Sequence, residues 1–194
     1  MSNQNPATYV QSAPEKVYEY IEDDLLYACD ILPYATDDQY RESNDYRFSK
    51  GAALGLLTKV YATWAGYPVK DESKWEAAAK TARILVESGK HGLLKDYEQL
   101  WKNTCNGTWD PTESLIEISF YSPTVSGNSD PVGRIGKWNG VKTTAIAGVR
   151  GSCAANVKVV HTFVLDWRED VSDIRRDLSI ANYQYTDTKK STLG

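Results

Sequence analysis

Apolar residues recur at helical spacing through two consecutive stretches of the N-terminal half. The first stretch places them three and four positions apart, at Ala52, Ala53, Leu56, Leu57, Val60, Tyr61 and Trp64. The second stretch repeats the stripe at Trp75, Ala78, Ala79, Ala82, Leu85 and Val86. A stripe with this period predicts an amphipathic helix. Because a short Gly-Tyr-Pro turn separates the two, we expect an αα-hairpin built like one tetratricopeptide repeat.

Local signals predict where these helices begin and end. The Ser-x-x-Glu pattern at residues 73–76 has the spacing of a capping box, and Gly89 suits a left-handed stop. The first helix of the hairpin is expected to end at Gly66. An earlier helix is predicted from a second capping box at residues 12–15 to Pro33. Its apolar stripe consists of Val17, Ile21, Leu25, Ala28 and Leu32.

The rest of the chain carries weaker patterns. Asp96 is placed to cap a short helix, and residues 114–121 alternate between apolar and polar positions as a β-strand does. Residues 122–152 are rich in glycine and proline and are long enough for a functional loop. The apolar positions between 157 and 165 fit a helix or a strand, and residues 178–186 alternate like a strand.

Composition narrows the classes of function. The chain has 194 residues, a formal net charge of −4 and no basic run, which argues against a nucleic-acid partner. No apolar run approaches the ~20 residues of a membrane-spanning helix, and the polar N-terminus is unlike a signal peptide. Cys29, Cys105 and Cys153 lack the spacing of a disulfide framework. We therefore expect them to be buried as small hydrophobic side chains.

Several motifs occur in an order that resembles one protein family. The first hairpin helix begins Arg47-Phe48-Ser49-Lys50 and continues with paired alanines and Leu-Leu, and the hairpin ends in Ser-Gly-Lys-His-Gly-Leu-Leu. Further matching positions are Tyr18, Ile21, Asp24, Leu25, Ala28, Leu32, Pro33, Asp173, Arg175 and Arg176. Together these motifs resemble the SusD/RagB family of nutrient-binding surface lipoproteins of Bacteroidetes. Ile174 stands where that family usually has proline.

The resemblance implies a mainly α fold with tetratricopeptide-like αα-hairpins, a minor β element and a long loop. The chain would be a single SusD-like domain fragment in four parts. These are a leader (1–11), helical hairpins (12–102), a strand with a long loop (103–154) and a helix with a terminal segment (155–194). Family members are much longer, so we interpret the chain as a central fragment of such a protein.

The resemblance also implies a function without catalysis. Family members bind glycans or other nutrients at the cell surface and deliver them to a partner TonB-dependent, SusC-like transporter in the outer membrane. A lipid anchor, absent from this chain, attaches them to that membrane. No cofactor or metal is expected. A helical scaffold that binds only protein and a carbohydrate-active enzyme are the alternative interpretations.

The residues themselves give little support to catalysis. His91 follows a predicted helix end, and His161 lies on an apolar face where we expect a core imidazole. Neither has a second ligand at helical spacing, which argues against zinc. Glu113 and Glu117 are the acidic pair near the long loop. On a strand they would lie ~13 Å apart, whereas glycosidases use carboxylates ~5–9.5 Å apart.

Aromatic rings beside amides and charges are the candidates for ligand contact. A flat ring can cover the apolar face of a sugar, while amide and guanidinium groups bind its hydroxyls. Any single aromatic residue is nevertheless more often a packing residue. The candidate ligand-binding residues near the long loop are Trp109, Tyr121, Asn128, Trp138, Asn139 and Arg150.

Arg47 directly precedes the first hairpin helix, where a positive charge is electrostatically unfavourable. We therefore expect a carboxylate to offset it. Asp24 on the preceding helix is the leading candidate, and such a pair would fix how that helix docks on the hairpin. The alternative is a solvated arginine beside the polar turn at residues 44–45.

Overall fold

The computed structural model describes residues 10–37, 47–118, 135–147, 151–167, 172–186 and 189–192. The described chain is mainly helical, which confirms the predicted fold class, and it divides into two compact units, Met1–Ile118 and Ser119–Gly194. The first unit contains α1 (Pro14–Ile31), α2 (Lys50–Ala65), α3 (Lys74–Glu87) and α4 (Tyr97–Cys105). The second contains α5 (Ile135–Asn139), α6 (His161–Trp167), α7 (Arg175–Ser179), β1 (Tyr183–Thr186) and β2 (Lys189–Thr192).

α2 is the central helix of the first unit because it is apolar over most of its surface. It packs against α3 in the predicted αα-hairpin and also against α1. Ser49 caps its N-terminus by accepting a hydrogen bond from the Ala52 amide, and the helix ends at the predicted Gly66. One buried cluster joins the three helices: Leu25, Leu57, Tyr61, Trp64 and Ala78.

α3 turns a different face to α2 from the one that its apolar stripe predicts. Ala78 and Thr81 are buried, whereas Trp75 and Val86 are 54% and 74% exposed. Small side chains in the contact allow the two backbones to approach closely, and the large ones are then left at its margins. The predicted packing role of Trp75 is therefore wrong.

Both predicted capping boxes are wrong, although α3 begins directly after Ser73 as predicted. α1 begins after Ala13, whose side chain cannot cap, so Ser12 forms no capping box. At α3, Ser73 already has helical dihedral angles, and its hydroxyl donates to the Asp71 carboxylate. A charged acceptor two residues away competes for a serine hydroxyl that would otherwise cap amides. The predicted stop at Gly89 is confirmed by its φ of +63°.

Two glycines of α2, one helical turn apart, leave a surface without side chains against which the segment after α3 packs. A β-carbon at Gly51 would overlap the Nε2 atom of His91, so the imidazole rests directly on the helix backbone. A β-carbon at Gly55 would lie 2.8 Å from a methyl carbon of Leu115. A side chain at either position therefore has to displace a packed neighbour.

Hydrogen bonds hold this returning segment on α2. His91 Nδ1 lies 2.9 Å from the carbonyl oxygen of Pro111, and the Gly92 amide donates to the carbonyl of Thr112 over 2.9 Å. A carbonyl only accepts, so Nδ1 carries the proton. Nε2 is then buried against α2, with no hydrogen-bond partner among the described residues.

The Gly51→Ala variant is expected to be less stable than the wild type. Displacing the anchored imidazole costs about 1–3 kcal/mol, which exceeds the ~1 kcal/mol that alanine contributes over glycine inside a helix. In a His91→Ala background the same substitution should become neutral or stabilising. Urea denaturation of the four proteins measures the cycle, with Gly92→Ala as the control because its β-carbon meets nothing within 4 Å. Equal effects of Gly51→Ala in both backgrounds would contradict the packing.

The predicted strands are only partly correct. Residues 114–118 do not form a strand, and Leu115 in this segment packs on α2. Residues 119–121 lie outside the described part of the chain. The predicted terminal strand at 178–186 belongs to α7 in its first part and to β1 in its second. β1 pairs with β2 as an antiparallel hairpin.

The family resemblance favours a helix over a strand at residues 157–165, and this is confirmed from His161 onward, where α6 begins. Residues 157–160 are not helical. His161 is exposed, so its predicted place in the core is wrong. The three cysteines are free, as expected. Cys105 is exposed rather than packed, because it ends α4 beside a turn.

Candidate functional site

A short helix presents Trp138 at the surface of the second unit. α5 ends in Lys137-Trp138-Asn139, and the Trp138 side chain is 43% exposed. The carbonyl of Lys137 accepts a hydrogen bond from the Ala154 amide over 2.9 Å, and that of Trp138 accepts one from the Asn156 amide over 2.7 Å. The ring is therefore presented from a backbone that is fixed at two consecutive residues.

The same support extends into the neighbouring segments. Thr143 and Cys153 exchange two backbone hydrogen bonds, of 3.1 and 3.0 Å, as an isolated antiparallel bridge. The Tyr185 amide in β1 donates to the carbonyl of Lys142 over 2.8 Å. The segment after α5 is thus tied to both the 153–156 stretch and the terminal hairpin.

Polar groups beside the Trp138 ring suit a hydroxylated ligand. The Lys137 ammonium nitrogen lies 5.7 Å from the centroid of the ring, and Asn139 is exposed directly after it. Such a ring can cover the apolar face of a sugar while the ammonium and amide groups bind its hydroxyls. Sequence reasoning missed Lys137, because only the folded backbone shows that this side chain turns back towards the ring.

The predicted site residues separate into three groups. Trp109 belongs to the first unit and is 6% exposed, so its ring is packed and not presented to a ligand. Tyr121, Asn128 and Arg150 lie outside the described residues. Trp138 and Asn139 are consecutive residues of α5 whose side chains are both exposed, and they remain the candidate surface.

The two acidic residues considered for catalysis lie in different surroundings. Glu113 accepts a hydrogen bond from the Leu94 amide over 2.6 Å, which fixes the returning segment, and Glu117 is exposed. The described residues contain no group of three His, Cys, Asp or Glu side chains arranged to hold a metal ion. Within the same residues, no helix is both long enough and apolar enough to span a bilayer.

The Asp-x-Arg-Arg motif forms a closed polar node in the second unit. Asp173 accepts two hydrogen bonds from the Arg175 guanidinium, of 2.8 and 2.6 Å, and one from the indole of Trp167, of 2.9 Å. The Arg175 guanidinium, helped by the indole, holds the pKa of Asp173 well below its ordinary value. The motif therefore joins α6 to α7, and its carboxylate is already engaged.

The Asp173→Asn variant should lose stability at neutral pH and lose less in acid. The folded-state pKa is depressed, so the ionised carboxylate stabilises the fold above the unfolded value of ~3.9. That stabilisation declines as the pH falls from about 4 towards the folded-state pKa. Thermal denaturation of both proteins between pH 7 and pH 2.5 checks this. A stability difference that is independent of pH would contradict the ionic role.

The described ion pair between α1 and the hairpin is not the predicted one. Glu22 on α1 meets Lys74 on α3, with 3.1 Å between the charged atoms, and Tyr61 on α2 donates to the same carboxylate over 2.8 Å. Arg47 and Asp24 are both exposed. The three-helix contact therefore has a polar centre that the sequence did not reveal.

The chain was compared with family models, curated proteins and solved structures. No family model matches the chain. A protein of Bacteroides ovatus described as SusD-like is 26% identical over 136 residues, which are 64% of this chain and 24% of that protein. The solved structure of a SusD homolog from Bacteroides thetaiotaomicron VPI-5482 superposes with a TM-score of 0.89 and 99% identity. That match covers 98% of this chain and 36% of the solved one.

The chain is thus a mainly helical protein with a tetratricopeptide-like hairpin. It is similar along nearly its whole length to part of a solved SusD homolog. Both proteins that the chain matches are described by their relation to SusD, one as SusD-like and one as a SusD homolog. The chain spans 24% of the length of the curated relative and 36% of the solved chain. This confirms the family resemblance drawn from the hairpin motifs.

Proposed function

We propose that this chain is part of a non-enzymatic glycan-binding protein of the bacterial cell surface. The observation that carries the proposal is the half-exposed Trp138 ring on a fixed backbone, with Lys137 and Asn139 beside it. A rigid aromatic platform loses little conformational entropy when it binds a flat sugar face. The relation to proteins described as SusD-like supports the same class of ligand.

The proposal extends to the whole protein. The glycan-loaded protein hands its ligand to a SusC-like TonB-dependent transporter, and a lipid anchor holds it at the outer membrane. The motif resemblance supports this arrangement. The transporter is proposed as a partner of the full-length protein, which is longer than this chain. Co-purification of the full-length homolog with a TonB-dependent transporter from outer membranes tests it, and purification of the homolog alone would count against it.

Affinity electrophoresis in gels that each contain one polysaccharide tests glycan binding. We expect retarded migration in at least one gel, with no new reducing ends released from the polysaccharide. Release of sugar product would support the carbohydrate-active enzyme instead. Unretarded migration with every polysaccharide, together with capture of a protein partner, would support the helical scaffold.

A further inference from the structure

The sequence around the Trp138 surface, which consists of Lys137, Trp138 and Asn139, is locally basic. The chain as a whole carries a formal net charge of −4, yet residues 131–165 contain no aspartate or glutamate. The positive charges in that stretch belong to Arg134, Lys137, Lys142, Arg150 and Lys158. A cluster of one sign of charge produces a local field that attracts ligands of the opposite sign, even on a protein of opposite net charge.

Two lysines lie on the backbone hydrogen bonds that fix the Trp138 ring. The carbonyl of Lys137 accepts one of those bonds, and Lys158 follows Asn156, the donor of the other bond, by two residues. The Lys137 ammonium nitrogen lies 5.7 Å from the centroid of the Trp138 ring. Both lysine side chains are exposed, so a ligand on the ring is within the range of their charges.

Two further lysines belong to the same hydrogen-bonded framework at the terminal hairpin. The carbonyl of Lys142 accepts the Tyr185 amide over 2.8 Å, and Lys189 of β2 pairs with Thr186 of β1, the residue after Tyr185. The side chains of Lys142 and Lys189 are also exposed. The framework that fixes the ring thus presents four ammonium groups to solvent.

These four ammonium groups have no ion-pair partner within the part of the chain that the structure describes. The described arginines of the second unit behave differently. Arg175 pairs with Asp173 over 2.6 Å, and Arg176 pairs with Asp177 over 2.7 Å. The lysines therefore keep a positive charge that an anionic ligand can neutralise.

We propose that the Trp138 surface binds an anionic glycan, whose sugars carry carboxylate or sulfate groups. The inference rests on the glycan binding proposed above and specifies its chemical class. The ring covers the apolar face of one sugar, and the lysine ammonium groups bind the acidic groups by charge-assisted hydrogen bonds. Lysine suits this role because its ammonium is a point charge on a flexible stem, which accepts acidic groups of more than one geometry.

Matched pairs of polysaccharides test the charge requirement. Calorimetry at low salt compares polygalacturonate with its carboxyl-reduced derivative, and dextran sulfate with dextran. We expect at least one anionic polymer to bind at least about tenfold more tightly than its neutral counterpart. NaCl at about 1 M shortens the Debye length to about 3 Å and should remove most of this preference. Polyglutamate, which has the charge but no sugar face, should bind at least about tenfold more weakly than the preferred glycan.

Lysine substitutions locate the effect on the protein. The Lys137→Gln, Lys158→Gln double variant should bind the preferred anionic glycan at least about fivefold more weakly and depend less on salt. The Lys80→Gln, Lys102→Gln double variant is the control. It removes the same charge from the first unit, where both lysines pair with glutamates on exposed helix faces. Its affinity should stay within about twofold of the wild type. Circular dichroism confirms that each variant keeps its helices.

Four results would overturn the proposal. Equal affinity for the charged and neutral members of each pair would show glycan binding without regard to charge, and the proposed function would remain. Binding of polyglutamate as tight as that of the best glycan would assign the lysines to a polyanion without sugar. Equal losses in the two double variants would make the overall charge of the chain responsible. Absence of binding to every polymer would overturn the inference together with the proposed function.

Discussion

Replacing Trp64 by alanine should lower the free energy of unfolding by about 3–5 kcal/mol. Trp64 is 5% exposed in the cluster that joins α1, α2 and α3. The Tyr18 ring stacks on it at an interplanar angle of 11°, and the Lys74 ammonium nitrogen lies 3.8 Å from its ring centroid. The substitution removes a large buried ring, a stacked aromatic partner and a cation–π contact together.

Trp75→Ala is the matched control because it removes the same side chain from the same hairpin. Trp75 is 54% exposed, so its loss should change stability by less than about 1 kcal/mol. Urea denaturation monitored by circular dichroism compares the two variants with the wild type. Similar losses for both tryptophans would contradict the assignment of the core to the α2 side of the hairpin.

Replacing Lys74 by methionine should lower the free energy of unfolding by about 2–3 kcal/mol. This is somewhat less than the ~3–5 kcal/mol lost when one partner of a fully buried ion pair is removed. The Lys74 and Glu22 side chains are 18% and 22% exposed. The substitution keeps much of the packing of the long side chain but leaves the Glu22 carboxylate with Tyr61 as its described donor. Burial, together with Glu22, raises the pKa of Tyr61, so the phenol remains a donor.

A double-mutant cycle separates this pair from simple packing. Glu22→Gln alone should also destabilise the protein, and the Glu22→Gln, Lys74→Met combination should be non-additive by about 1–3 kcal/mol. Lys80→Met is the matched control on α3, since its pair with Glu76 is largely exposed, and it should leave the unfolding midpoint nearly unchanged. An additive cycle would mean that the charges do not hold α1 on the hairpin.

Much of the first unit could be predicted from sequence. Period and turn signals gave α2, α3 and their hairpin, because these depend on residues that are close along the chain. α3 begins after the predicted Ser73, but the predicted capping box does not form because the Asp71 carboxylate takes the Ser73 hydroxyl. A motif search does not weigh such a local competition. The Glu22–Lys74 pair was missed because it joins residues far apart in sequence.

The candidate site was predictable only as a set of residue types. Trp109 and Trp138 both stood near the glycine-rich stretch, and nothing local distinguished a packed ring from a presented one. Their exposed fractions, 6% and 43%, depend on tertiary contacts. The position of Lys137 beside the ring depends on how α5 is anchored.

The dissociation constant of Trp138→Ala for a polysaccharide that retards the wild-type chain tests the central claim most directly. Removing an aromatic anchor typically costs ~2 kcal/mol or more, so calorimetry should show affinity weakened by at least about tenfold. Trp101→Ala is the control, because Trp101 is 48% exposed in the first unit and pairs with Tyr97. Its affinity should match that of the wild type. Unchanged binding by Trp138→Ala, with the fold intact by circular dichroism, would contradict the assignment of glycan contact to this ring.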